Sequence, residues 1–225
     1  MAILPSAAVA DACVRLGVPL RLAPATLTPV IPGKPFSGPA RAVTHLGSVD
    51  VLLQTIDGAA PGSVLVVDNG GRNDEACLGD LMVLEAERAG FAGIVVWGRH
   101  RDTAQLREIG LPLHTTGAYS AGPRRVPPAG PPMRSAFLDG IAVSDDDLVV
   151  ADDDGVLFLG PERRQEVLDV AARIVETESA QAERMRAGEN LRSQLDFAGY
   201  LAGRAIDPTL SLRRHLAERG GAIEV

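Results

Sequence analysis

Two hydrophobic periods alternate along the first two-thirds of the chain. In residues 6–16 the apolar positions Val9, Ala12, Cys13 and Leu16 share one helical face, which Ser6 opens as an N-cap and Gly17 stops. A stretch with Pro at 19, 24, 29, 32, 35 and 39 follows and reads as irregular. The pattern then predicts a strand at Ala40–His45, a short helix opened by Ser48, and a buried strand in "PGSVLVVD". After the loop "NGGRNDEA" come a helix from about Asp80 to Ala89, the strand "GIVVWG", a short helix in "DTAQLREIG" ending on Gly110, and the strand "LPLHTT". Strands alternating with helices across short loops mark an α/β sheet with parallel crossovers.

The period then changes. "RSAFLDGIAV", "DLVVAD" and "GVLFL" read as three short strands with tight acidic turns, as antiparallel or barrel-like strands show. From Pro161 a strongly amphipathic helix begins, with Val167, Val170, Ile174 and Val175 on one stripe, and Gly188 ends or breaks it. The tail carries one or two shorter helices around Pro208.

At 225 residues, the chain has room for a substantial core. Its net charge of −7 lacks the basic face that phosphate backbones require, and aromatics at 4% leave no extended base-stacking surface. Lys34 is the one lysine and lies in the loop-like "IPGKPF", which argues against Schiff-base chemistry. Cys13 and Cys77 have no metal or redox spacing and read as buried thiols in a reducing compartment. The N-terminus lacks a basic n-region, with Pro5 and Asp11 interrupting any apolar segment, and no apolar run approaches the roughly 20 residues of a membrane span. A cytoplasmic location is expected.

The candidate chemistry lies between Gly79 and Asp102. Asp80 follows Gly79 where a helix begins, and Asp102 with Gln105 three residues on resembles a capping box, so helix capping accounts for either carboxylate alone. Arg101 points to a second reading. It follows a buried strand and precedes a helix, at the strand end where open α/β sheets bind ligands. Free N–H groups at two helix N-termini and a planar guanidinium suit a carboxylate or phosphate. An adjacent carboxylate suits a hard divalent cation that keeps several waters.

Asp80, twenty intervening residues, then Arg101-Asp102 resembles the D-x20-R-D spacing of the 4-hydroxy-4-methyl-2-oxoglutarate aldolases, which share their fold with the regulator of ribonuclease E activity A (RraA). "VADACVRLG", "SGPARAV", "PGSVLVVDNGG", "ACLGDLM", "RDTAQLREIGLPLHTTG" and "DLVVADDDGVLFLGPERRQEVLDVA" are similar to that family too, so that the likeness covers roughly residues 5–178. It implies a compact α/β sandwich of the swivelling β/β/α type over residues 1–178, with a C-terminal helical extension over 179–225. By the same resemblance, backbone groups of Gly79, Asp80, Leu81 and Met82 hold the substrate's pyruvyl carboxylate, and Arg101 bonds its keto or carboxylate oxygen. Asp102 ligates Mg²⁺ or Mn²⁺, and Asp80 positions or deprotonates a water on that ion. The implied activity is metal-dependent cleavage of 4-hydroxy-2-oxo acids to pyruvate, with oxaloacetate decarboxylation at the same site. The implied assembly is a homotrimer or hexamer with interfacial sites, which carboxylates such as Asp11, Glu176 or Glu178 of a neighbour could complete.

The alternative within the same fold is a non-enzymatic regulator that binds a ribonuclease; the carboxylate of Asp80 favours the enzyme. A methyltransferase reading lacks a glycine loop followed by an acidic strand end. "DDDG" at Asp152–Gly155 reads as a hairpin turn, since the spaced ligands of a calcium loop are missing. "DNGGR" fits no nucleotide motif; its glycines would let backbone pass close to the site, with Arg72 at the crevice mouth. His45, His100, His114 and His215 show no paired metal spacing, and Trp97 reads as a strand residue of the core.

Overall fold

The computed structural model describes residues 3–217. Its elements in chain order are α1 (Ser6–Leu16), β1 (Thr28–Pro29), β2 (Phe36–Thr44), α2 (Asp50–Ile56), β3 (Val64–Asp68), β4 (Ala76–Leu78), α3 (Asp80–Arg88), β5 (Gly93–Trp97), β6 (Arg99–His100), α4 (Thr103–Ile109), β7 (Leu113–Thr115), β8 (Ser135–Leu138), β9 (Ile141–Ser144), β10 (Leu148–Asp152), β11 (Gly155–Leu159), α5 (Arg164–Arg186), α6 (Leu191–Gln194), α7 (Phe197–Ile206) and α8 (Leu212–Ala217). They fall into two units, one comprising residues up to Ser6 and Leu20–Arg164, the other Ala7–Pro19 and the chain from Gln165 onward. Residue 178 falls inside α5.

The first unit is built on a seven-stranded sheet in the order β1-β7-β5-β3-β2-β10-β11. The four central strands β7, β5, β3 and β2 are parallel, while β1, β10 and β11 add antiparallel edges. The run Val64–Asp68 is buried at every position because the sheet is covered on both faces. Leu65 and Val67 pack with Val51 and Leu52 of α2, Val83 and Ala86 of α3, and Leu106 of α4. Val64 and Val66, one residue out of phase, pack instead with Ala136, Leu138 and Val143 of the β8–β9 hairpin and with Phe36 and Phe158. A helical layer, a sheet and a small β layer thus give the expected α/β sandwich.

Several boundaries differ from the sequence expectation. β2 begins at Phe36, inside the proline-rich stretch. Its first half pairs antiparallel with β10 and its second half, from Ala40, parallel with β3. Pro39 is tolerated at that changeover, and Gly38 leaves no room for a Cβ against the Gly62 carbonyl. Ser6 does not cap α1 by its own side chain; its N–H and hydroxyl both donate to the carboxylate of Asp152, at 2.7 and 2.6 Å. Ser48 does not cap α2, which starts at Asp50 behind Val49; its carbonyl lies 3.1 Å from Nε2 of His45. "RSAFLDGIAV" is two strands, β8 and β9, because Asp139 (φ 46°) and Gly140 (φ 95°) form a hairpin turn with both central residues at positive φ. Asp153-Asp154 makes the expected turn between β10 and β11.

In the second unit α5 buries Val167, Ala171 and Ile174, with Val170 and Val175 half-buried beside them. Three short helices follow, and Tyr200 of α7 stacks near Phe197 and His215 at centroid distances of 5.6 and 5.7 Å. Among the described residues no helix is long and apolar enough to cross a membrane.

Candidate active site

Two short segments read as loop or helix flank by sequence bring the site together. β4 and β6 form a parallel ladder beyond the carboxyl ends of β3 and β5, and the Arg101 N–H donates to the Leu78 carbonyl at 3.1 Å. This ladder delivers Gly79 at the start of α3 beside Arg101-Asp102 at the start of α4, although they are more than twenty residues apart.

The capping reading fails for Asp102. It is the N-cap residue of α4, but at φ 61°, ψ 39° its side chain makes no hydrogen bond to its own helix, and no capping box with Gln105 forms. Its Oδ2 faces the start of α3 instead, 3.4 Å from the Asp80 N–H and 3.4 Å from Nε of Arg101. Left-handed backbone at a non-glycine residue is uncommon and costs local strain. Asp80 is the first residue of α3 rather than its cap, and its Oδ1 accepts from the Leu81 N–H at 2.8 Å.

Gly79 is buried between these groups. A Cβ there would collide with Oδ2 of Asp102 and lie 3.1 Å from both Cγ and Nε of Arg101. A Cβ at Gly122 would lie 2.8 Å from Nη1 of the same arginine. Arg101 therefore runs between two bare α-carbons, with its side chain still 47% exposed. The first bond inside α3 runs from the Val83 N–H to the Gly79 carbonyl, so the N–H groups of Asp80, Leu81 and Met82 precede the helical ladder and point to its open end. The side chains of the last two offer a ligand no polar group there, Leu81 being apolar and 75% exposed and Met82 buried in the core, and the Leu81 N–H would have to leave Oδ1 of Asp80 to serve one. Arg101, Asp102, Thr103, Ala118, Tyr119 and Ser120 line a cleft of about 280 Å³. A larger cavity of about 650 Å³ near the β8–β9 hairpin contains none of the predicted residues. Its carboxylates already have partners, Asp68 in the Gly70 and Phe137 N–H groups and Asp147 in Arg21.

Among the described residues no cluster of three or more His, Cys, Asp or Glu side chains could hold a metal. An ion in this cleft would rest on Asp102, with Asp80 nearby, and keep most of its water. Hard cations such as Mg²⁺ accept that donor set, so the residues present fit one. Asp11 of α1 and Glu176 and Glu178 of α5 belong to the second unit.

Other residues take structural roles. His100 is buried, with Nδ1 2.7 Å from the Thr115 hydroxyl and Nε2 3.0 Å from that of Thr103. Burial lowers its pKa, and Arg107 and Arg99 add to the effect against the pull of Asp102. Arg72 pairs with Asp74 at 2.7 Å and with the buried Glu75 at 3.4 Å. A Cβ at Gly71 would lie 2.8 Å from the indole ring of Trp97. Cys77 is fully buried, which raises its thiol pKa, with Glu75 adding to the shift.

The RraA-like family, described as Aldolase/RraA, matches residues 6–158. The chain belongs to that family. The chain is 31% identical over 160 residues to the protein DlpA of Legionella pneumophila, a match covering 67% of this chain but 26% of DlpA. It is 32% identical over 127 residues to a Deinococcus radiodurans protein named "Putative 4-hydroxy-4-methyl-2-oxoglutarate aldolase", covering 56% of this chain and 79% of that one. Among solved structures, Streptomyces coelicolor RraAS2, described as an unusual member of the RNase ES inhibitor RraA family, superimposes with a TM-score of 0.68 at 30% identity, covering 81% of this chain and 92% of that one.

Proposed function

We propose that this RraA-like protein is a divalent-metal-dependent aldolase that cleaves a 4-hydroxy-2-oxo acid, such as 4-hydroxy-4-methyl-2-oxoglutarate, to release pyruvate. The observation that carries the reading is the turn of Asp102 away from its own helix toward Arg101 and the start of α3.

The α3 N-terminus would hold the substrate carboxylate, which would displace the 3.4 Å contact from Asp102 to the Asp80 N–H. Arg101, packed over Gly79 and Gly122, would meet the keto oxygen where negative charge develops as the carbon–carbon bond breaks. Asp80 would take the proton from the 4-hydroxyl through an intervening water. Mg²⁺ or Mn²⁺ held by Asp102 would supply Lewis-acid stabilisation of the same charge when bound. Oxaloacetate carries the same pyruvyl head, so decarboxylation would be a second activity of the site. A homotrimer or hexamer with sites at its interfaces fits the 75% exposure of Leu81 at the site's rim.

Pyruvate release from these acids, with Mg²⁺ or Mn²⁺ and again with EDTA, tests the proposal. Turnover should vanish with EDTA and in Arg101→Ala or Asp102→Ala; normal release by any of the three would refute it. The likeness to RraAS2 favours a second reading, a protein-binding regulator of a ribonuclease. Metal-independent capture of a ribonuclease by an inactive protein would support that reading instead.

A further inference from the structure

The segment after β7 arches over the β4–β6 ladder and is tied down on both sides. On the β6 side, the His100 N–H donates to the Gly117 carbonyl at 3.0 Å, and the Tyr119 N–H to the His100 carbonyl at 2.7 Å. On the β4 side, the Ala76 N–H donates to the Ala121 carbonyl at 2.7 Å, and Nη2 of Arg125 lies 2.6 Å from Oε1 of Glu75. Between the two β4-side ties, Ala121 and Arg125, lies Gly122, the residue whose α-carbon rests against the Arg101 guanidinium. The same arch supplies Ala118, Tyr119 and Ser120 to the wall of the cleft.

Glu75 is a buried carboxylate, with its side chain 6% exposed. A buried charge is costly unless well paired, and of its two arginine partners Arg125 is the closer. Arg125 also reaches Oδ1 of the buried Asn69 at 3.4 Å. The pair thus joins the far end of the arch to the strand that leads directly into Gly79.

Resting on the proposed function, we infer that Glu75 and Arg125 are positioning residues that set the orientation of Arg101 by holding Gly122 down onto its guanidinium. Neither touches the cleft; both act through the arch. A freed arch would let the guanidinium swing, and loss of alignment by about an ångström costs on the order of a hundredfold in rate.

A double-mutant cycle tests this, with calorimetric binding of oxalate to the Mg²⁺-loaded protein as readout, oxalate mimicking the pyruvate enolate. Arg125→Ala should weaken oxalate binding at least tenfold in the wild-type background and have no further effect when Arg101 is already alanine, while Arg125→Lys restores most of the loss. In turnover, Arg125→Ala should raise KM and lower kcat together. An equal loss in both backgrounds, or no loss in either, would overturn the inference and leave the proposed function standing. If Arg101→Ala itself binds oxalate normally, the proposed function fails and the positioning role falls with it. If Arg125→Ala does not fold, Gly122→Ala serves in its place. Its Cβ would press on Nη1 of Arg101, so the same dependence on the Arg101 background is expected, and its absence would overturn the inference.

Discussion

Gly79→Ala separates a site residue from a helix cap. At φ −143°, ψ −162° Gly79 is extended, a conformation open to alanine, so backbone strain does not enter. Alanine is a poorer N-cap than glycine by roughly 0.5–1 kcal/mol. Against that, alanine restricts the unfolded chain, which stabilises by about 0.4–1 kcal/mol. The two nearly cancel, and the melting temperature should move by no more than about 2 °C. Activity has no such offset. The new methyl group overlaps Oδ2 of Asp102 and stands 3.1 Å from Cγ and Nε of Arg101, so both side chains must move. A shift of about an ångström corresponds to a loss of roughly a hundredfold in kcat/KM, or about 2.7 kcal/mol of transition-state stabilisation. A coupled pyruvate assay beside a thermal melt reads both quantities. A variant with full activity and a lowered melting temperature would show that Gly79 is only a cap and would refute the reasoning.

Asp102→Gly should abolish turnover while leaving stability unchanged or raised by up to about 1 kcal/mol, because it relieves a left-handed residue whose side chain caps nothing in its own helix and makes only 3.4 Å contacts to the start of α3 and to Nε of Arg101; a clearly lowered melting temperature would show a structural role. Asp80→Asn should slow pyruvate release with the melt and circular dichroism intact, since Asn keeps an oxygen for the Leu81 N–H; a lost helix signal would contradict this. Acid should destabilise the fold in two stages. Burial lowers the pKa of His100 and His114, so their contribution is complete above the ordinary imidazole value and is lost as pH falls through their folded values. For Asp147, burial raises the pKa but is outweighed by Arg21, the Ser144 N–H and Arg164, so its contribution is lost only as pH falls through its lowered carboxyl pKa. Melting temperatures from pH 7.5 down to 3 check the order, and a protein more stable at pH 5.5 than at 7.5 would contradict it.

Much of the fold was legible because burial on both faces of the sheet writes continuous apolar runs, as in Val64–Asp68, and glycines mark the ends of α1, α4 and α5. Where the structure departs from the local sequence pattern, long-range pairing overrides local preference. Pro39 lies within β2 because the strand changes partners there, and Ser6 is held by a carboxylate 146 residues away. The candidate residues Asp80, Arg101 and Asp102 are visible as a spacing, but the β4–β6 ladder that brings their segments together is too short to show a period. Gly122 and the Glu75–Arg125 pair left no mark in the sequence, since their significance lies in what the arch covers.

The most direct test of the central claim, that the α3 N-terminus, Arg101 and Asp102 form one ligand site, is anomalous diffraction from crystals grown with Mn²⁺ and oxalate. The account predicts a manganese peak at about 2.2 Å from the Asp102 carboxylate, with oxalate spanning from the N–H groups of α3 to the Arg101 guanidinium. Manganese bound elsewhere, or oxalate absent from that cleft at saturating concentration, would contradict it.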